Sequence, residues 1–333
     1  MFIVESYLVA VVLLFITMLC WGSWANTQKM ATKKWPSQLF YWDYTLGIML
    51  IAFIFGITIG SFGEEGRSFF EDLGQASSGA LWSAFLGGVV FNIANLLLVA
   101  AIDIAGMAVA FPVGIGIALV VGVLVNYIAF PVGDPLLLFS GVALVTVAIV
   151  LDAKAYRRLS NGGAVSSKGL WISVIAGVLM GFYFRFVADS VAADFTNPQV
   201  GLMTPYSAVF VFAIGVFLSS FLWNTFFMYK PIKGEKVSFG EYFSKGNPKL
   251  HLIGILGGII WCIGMSFSMI ASEQAGFAIS YGLGQGATMV AAAWGVFIWK
   301  EFAYAPKGTN KLIYSMFALF IVGLSLIIVA RLN

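Results

Sequence analysis

Polar residues are scarce along this chain and arrive in clusters, separated by apolar runs of about 20 residues, the length that crosses a bilayer as helix. Ten such runs follow one another, at about 4–28, 39–62, 79–101, 106–129, 135–153, 169–190, 201–229, 250–271, 276–299 and 310–331. The pattern predicts an all-α membrane protein of ten transmembrane helices. The longer gaps are the acidic 63–77, the linker 154–168 around RRLSNGGAVSSKG, and the lysine-rich 230–249. No basic leader precedes the first run, only Met1 to Glu5, and no small-residue cleavage site follows it. It is expected to stay in place rather than be removed as a signal peptide.

The pattern also repeats on a longer scale. Residues 105–116 read AGMAVAFPVGIG, and residues 275–286 read AGFAISYGLGQG. Aligned without gaps, 86–128 and 256–298 agree at 12 of 43 positions, with Asp103 facing Glu273 and Phe111 facing Tyr281. Weaker echoes pair Trp21-Gly22 with Met180-Gly181, and Asp43-Tyr44 with Pro205-Tyr206. Gly/Ala-rich helices resemble one another by composition alone, but an ungapped register of this length favours a true repeat. Each half has five runs, an odd number, so the second half is expected to enter the membrane upside down. The expected plan is two inverted five-helix repeats, 1–153 and 169–333, joined by the linker 154–168. Many secondary transporters build a midplane site between inverted repeats.

Composition agrees with the membrane. Sixty per cent of the 333 residues are hydrophobic and 10% are charged, against roughly 25% charged in a soluble domain. Membrane lipids are therefore expected partners. The net charge of +3 is not gathered into a stripe, so no nucleic acid is expected. Cys20 and Cys262 fall inside apolar runs and offer neither a disulfide framework nor a metal spacing. No cofactor, metal or catalytic residue is expected: there is no HExxH or GxSxG, and the one histidine, His251, sits at a helix start where it is expected to be solvated.

Charge placement predicts orientation. Lys29, Lys33 and Lys34, then Lys154, Arg157, Arg158 and Lys168, then Lys230, Lys233, Lys236, Lys245 and Lys249, then Lys300, Lys307 and Lys311 all fall on one side of the predicted spans, fifteen of the eighteen basic residues. Basic residues stay cytoplasmic. Both termini are thus expected outside and the central linker in the cytosol, in a bacterial inner or plasma membrane.

A neutral polar solute crossing such a protein must exchange its water for hydrogen bonds and a ring face. Amides suit this, offering donors and an acceptor without charge. Asn92 and Asn95 lie near mid-bilayer in the third run, three apart and so on one face. Gln285 lies at similar depth between Gly284 and Gly286. Trp21, Trp24, Tyr183, Tyr206, Trp261 and Tyr281 are candidates to stack on a flat solute. The plainer reading of the same residues is an interfacial aromatic belt and an asparagine bonded to a neighbouring helix. Arg185 and Asp189, at i and i+4, form either a fixed ion pair or a coupling carboxylate with a displaceable partner, and Glu5 is a second candidate partner. Asp43 is a gate or a first-turn residue favoured by the helix dipole. Asp103 and Glu273 are capping residues or symmetric gates. Pro112, with Gly114 and Gly116, and in the other half Gly284 and Gly286, mark two helices that bend around one cavity, or simply small residues for close packing.

These stretches carry a resemblance over almost the whole chain. VESYLVAVVLLFITMLCWGSW, FYWDYTLGIMLIAFIFG, LGGVVFNIANLLLVAAIDIAG, FFMYKPIKGEKVSFGEYF and LGGIIWCIGMSFSMIASEQAGFAISYGLGQGATMVAAAWGVFIWKEF are similar to the ureide permease family of the drug/metabolite transporter superfamily. The last stretch also resembles the glucose/ribose and rhamnose porters. The resemblance implies a permease rather than an enzyme, taking up small neutral nitrogen-rich solutes such as allantoin and nucleobases, or a monosaccharide such as ribose, as a proton symporter. Plant members have a longer central loop; here it is short. Export of drugs or amino acids, common in the superfamily, is the alternative. Oligomeric state is not readable from these residues.

Overall fold

A computed structural model of the chain describes residues 1–31, 35–105, 107–159, 166–232 and 235–332, apart from the side chains at 103, 107–109 and 111. Its elements run α1 (Tyr7–Ser23), α2 (Ala25–Ala31), α3 (Ser37–Ile57), α4 (Phe69–Gln75), α5 (Ser78–Ala105), α6 (Met107–Ala129), α7 (Pro135–Leu159), α8 (Ser167–Ser190), α9 (Pro205–Tyr229), α10 (Phe239–Lys245), α11 (Pro248–Ile270), α12 (Ser272–Ala275), α13 (Phe277–Gly284), α14 (Ala287–Ala293), a π-turn segment (Trp294–Ile298) and α15 (Thr309–Val329). The protein is an all-α membrane protein. Among the described residues nine helices are long and apolar enough to span, counting α1 and α2 as one.

The ninth expected run, 276–299, is present but discontinuous. The helix stops at Gly284 and resumes at Ala287. Through the break the backbone tightens to i→i+3 bonds, with the N–H groups of Gly286, Thr288 and Met289 donating to Leu283, Gln285 and Gly286. Such pieces occur at functional hinges, and broken spans form the midplane sites of many transporters. The counterpart α6 runs unbroken through Pro112, Gly114 and Gly116. A Cβ on Gly114 would sit 2.6 Å from Leu98, whereas one on Gly116 would meet nothing within 4 Å. Gly114 thus serves close packing, one of the two expected roles. Helix α7 also continues six residues past its expected end, to Leu159, carrying Lys154, Arg157 and Arg158 on helix rather than linker.

The halves pack by the same contacts. A Cβ on Gly88 of α5 would lie 2.1 Å from the Phe212 carbonyl oxygen of α9, and one on Gly258 of α11 would lie 1.9 Å from the Tyr44 carbonyl oxygen of α3. The reverse approaches match too: Gly215 of α9 against the Phe85 carbonyl, Gly47 of α3 against the Ile255 carbonyl. These four glycines let backbones touch where any side chain would separate them. They equate Tyr44 with Phe212 and Gly47 with Gly215, which replaces the expected echo of Asp43-Tyr44 with Pro205-Tyr206.

Counterpart helices run antiparallel. In α3 and α9, Trp42 packs on Phe221 while Phe53 packs on Phe210. In α7 and α15, Gly141 faces Gly323 and Ile327, and Gly323 faces Gly141 and Val145. Antiparallel counterparts are the arrangement that an inverted second half would give.

Two short helices close opposite ends of the bundle. At the acid-rich end Asp72 of α4 accepts the Thr204 N–H at the start of α9 (2.7 Å) and pairs with Arg67 (2.9 Å). At the basic end its counterpart in the repeat, Tyr242 of α10, donates to Asp43 near the start of α3 (2.5 Å).

Candidate functional site

At the centre lies a cavity of about 140 Å³. From the first half, α1 and α2 contribute Trp21, Gly22, Trp24 and Ala25, α5 contributes Phe91, Asn95 and Leu98, and α6 contributes Ile115. From the second half, α8 contributes Met180 and Tyr183, α11 contributes Trp261, and the broken span contributes Gln285, Ala287, Thr288 and Ala291. Residues matched in the sequence line the cavity together: Phe91 with Trp261, Ile115 with Gln285, Trp21 with Met180.

The walls are aromatic. Trp21 and Trp261 are nearly parallel at 13°, 5.9 Å apart, with the Trp21 indole N–H donating to the Trp261 carbonyl at 3.1 Å. Phe91 meets Trp261 at 4.3 Å and Tyr183 at 5.1 Å. The polar groups are few and neutral. Gln285 sits at the helix break with its side-chain amide bonded to no described residue, so two donors and an acceptor are on offer. Asn95 gives its amide N–H to the Tyr41 hydroxyl (3.2 Å), leaving its carbonyl oxygen for the cavity. A hollow this size is well below the roughly 300 Å³ at which drug-sized pockets begin, and no charged side chain among the described residues lines it.

A smaller hollow of about 40 Å³ lies toward the basic end, between Gln38, Tyr41, Leu96 and Phe227, and shares Trp24 with the central cavity. The Trp24 ring, packed on Tyr44 at 4.9 Å, is the partition between them.

A family model described as ureide permease matches residues 40–168 and 157–330. The chain belongs to the ureide permease family. It is thus a membrane transporter and not an enzyme. Ureide permease 1 of Arabidopsis thaliana is 23% identical over 98% of both chains. Ureide permease 5 of the same plant is 24% identical over 98% of this chain and 95% of its own. Probable ureide permease A3 of Vigna unguiculata is 24% identical over 83% and 91%. A solved crystal structure aligns over 97% of both chains with a TM-score of 0.59 at 15% identity, a likeness of fold.

Within this family member, six of the nine residues expected at the substrate meet at the cavity: Trp21, Trp24, Asn95, Tyr183, Trp261 and Gln285. Three do not. Asn92 is fully buried behind it, donating to the Val216 carbonyl and to Ser219 and Ser220 of α9 while accepting from Tyr41 at 2.8 Å. Its amide is consumed by neighbouring helices. Tyr281 is also fully buried; its hydroxyl donates to the carbonyls of Ala118 (3.2 Å) and Met180 (3.1 Å), bracing α6 and α8. Tyr206 lies at the acid-rich end, its hydroxyl donating to the Phe2 carbonyl at 2.9 Å. Phe91, Thr288 and Tyr41 were missed. The first was legible as the repeat partner of Trp261; the Asn95–Tyr41 bond spans 54 positions and left no local signal.

The charged candidates are dispersed. Asp43, 1% exposed, accepts from Tyr242 and lies 3.0 Å from His251 Nδ1. Histidine 251 is therefore not the solvated residue expected; Trp35 packs edge-on against it at 5.2 Å. Burial raises the Tyr242 phenol, and the Asp43 carboxylate adds to this, so Tyr242 stays a donor. Arg185 pairs with Asp189, and its guanidinium lies over the Phe130 ring. Glu5 is exposed and joins no ion pair among the described residues. Glu273 accepts the Phe195 N–H at 2.7 Å with one oxygen, while the other is buried without a partner. Asp103 falls in the last turn of α5, and its side chain is outside the described residues.

Proposed function

We propose that the chain takes up a small, planar, neutral, nitrogen-rich solute, a nucleobase or ureide, by alternating access of its two inverted halves, 1–153 and 169–333, around the central cavity. The observation that carries this reading is the unpartnered Gln285 amide beside Trp21, Trp261 and Phe91. A flat ring with amide edges finds stacking faces and both donors and acceptors there, without a charge to desolvate. The names of the relatives, ureide permeases, support the same solute class. Positive charge at the 29–34, 154–168, 230–249 and 300–311 ends supports a cytosolic linker and outward termini. Coupling to protons is part of the proposal. Asp43 and Glu273 are the carboxylates to test, one at each end and each held by uncharged or titratable partners.

Uptake into proteoliposomes, measured with labelled uracil and allantoin and with ribose and glucose as competitors, tests the reading. Saturable uptake of uracil or allantoin that ribose does not compete supports it. Competition by ribose and glucose alone moves the substrate to monosaccharides, and outward pumping of a dye with no uptake of any of the four moves the protein to the exporters.

A further inference from the structure

A hollow more spacious than the central one lies away from it. A groove of about 550 Å³ runs between α6 and α7, walled by Pro112, Val113, Ile117 and Val120 on one side and by Thr146 and Val150 on the other. It opens outward, since Val120 is 42% and Val150 45% exposed on the surface that faces the bilayer. Its only hydroxyl, on Thr146, is committed to the Val142 carbonyl at 2.8 Å, so the trough is apolar in effect. Gly116 is what makes it deep, because a Cβ there would touch nothing within 4 Å.

The groove is asymmetric along its length. At the basic end it finishes in Lys154 and Arg157, both exposed, and no acidic side chain among the described residues lines it. From Thr146 to Arg157 the α7 wall spans about 16 Å at 1.5 Å per residue. That is about half of the roughly 30 Å hydrocarbon core, hence the depth of one leaflet. An apolar trough one leaflet deep, capped by two cations at the interface, matches an amphiphile with an anionic head.

We propose that this groove seats an acyl chain of an anionic phospholipid, whose headgroup phosphate is held by Lys154 and Arg157. The lipid lies directly behind the transport site. Ile115 lines the central cavity while its neighbours Gly116 and Ile117 line the groove, so the seated chain supports the turn of α6 that forms a cavity wall. This goes beyond the substrate reading and does not depend on which solute is carried.

The test uses the full chain in nanodiscs of phosphatidylcholine and phosphatidylglycerol mixed equally, released into native mass spectrometry. Wild type is expected to retain phosphatidylglycerol over phosphatidylcholine by roughly 10- to 30-fold, as two interfacial cations provide. The Lys154→Gln/Arg157→Gln double variant is expected to keep a lipid but lose the preference. Gly116→Leu, which fills the trough, is expected to lose the retained lipid of either kind; should it fail to fold, the charge variant still decides. Equal retention of both lipids by wild type, a preference that survives the double variant, or a second copy of the chain in place of lipid overturns the proposal.

Discussion

Phe91 and Trp261 occupy equivalent positions in the two halves, 170 residues apart, and meet at the centre of the protein with ring centroids 4.3 Å apart. The same equivalence puts Gly88 and Gly258 against opposite partner helices, with a Cβ on either less than 2.2 Å from a backbone oxygen. The central cavity is thus built where two copies of one motif converge, and its polar groups come from where the copies differ: Gln285 stands opposite Ile115.

Gln285→Ala removes a side chain that binds no described protein group. We expect it to weaken solute binding by about 1–3 kcal/mol, or about 5- to 150-fold in Kd, while Tm stays within about 1 °C of wild type. Asn92→Ala should do the reverse, lowering Tm by several degrees, because it removes the acceptor of the Tyr41 hydroxyl and the donor to Ser219 and Ser220. Substrate-dependent thermal shift and uptake kinetics on both variants separate the two roles.

Gly258→Ala forces the backbones of α3 and α11 apart. Overpacking of this kind costs about 1–3 kcal/mol or more, and the variant should show a lower Tm and poor yield. Gly74→Ala, in α4 with nothing within 4 Å, should be neutral. Equal behaviour of the two would disprove the role assigned to the close approach.

The Asp43–His251–Tyr242 cluster ties α3, α10 and α11 at the basic end. Asp43→Asn is expected to abolish accumulation driven by a pH gradient while leaving solute exchange measurable. If a pH gradient drives the variant as it drives wild type, coupling does not pass through Asp43.

Burial raises the Glu273 carboxyl above the ordinary carboxylate range; the Phe195 N–H opposes this and the nearby Asp194 carboxylate adds to it. The folded protein then holds this proton more tightly than the unfolded chain, so the contribution is full at low pH and is lost as pH rises through the raised value. Glu273→Gln should flatten the fall of Tm as pH rises above the ordinary carboxylate range of about 4. Thermal unfolding over that rise in pH checks it.

Much of this was legible in the sequence, for physical reasons. Apolar runs of bilayer length announce spans, and the glycines at 87–88 and 257–258 recur because backbone contact admits nothing larger. The amide residues of the cavity stood out because such groups are costly in lipid. What stayed hidden was long-range. Asp43 and His251 are 208 positions apart, and nothing local to either predicts the pairing. Tyr281 and Asn92 look like ligands by depth alone; only the carbonyls and hydroxyls of neighbouring helices reveal that their hydrogen bonds are already made. The helix break at Gln285 was signalled by its flanking glycines, but the unbroken α6 was not, since Pro112 lies inside that helix where it removes a backbone hydrogen bond.

Alternating access to the central cavity is tested most directly by Thr288→Cys, in a background where Cys20 and Cys262 are replaced by Ala. Thr288 lines the cavity and leaves Gln285 in place. A membrane-impermeant thiol reagent should label the variant from either side of the membrane, each time less in the presence of transported solute. Labelling confined to one side under every condition, and indifferent to solute, would contradict a carrier built from two inverted halves.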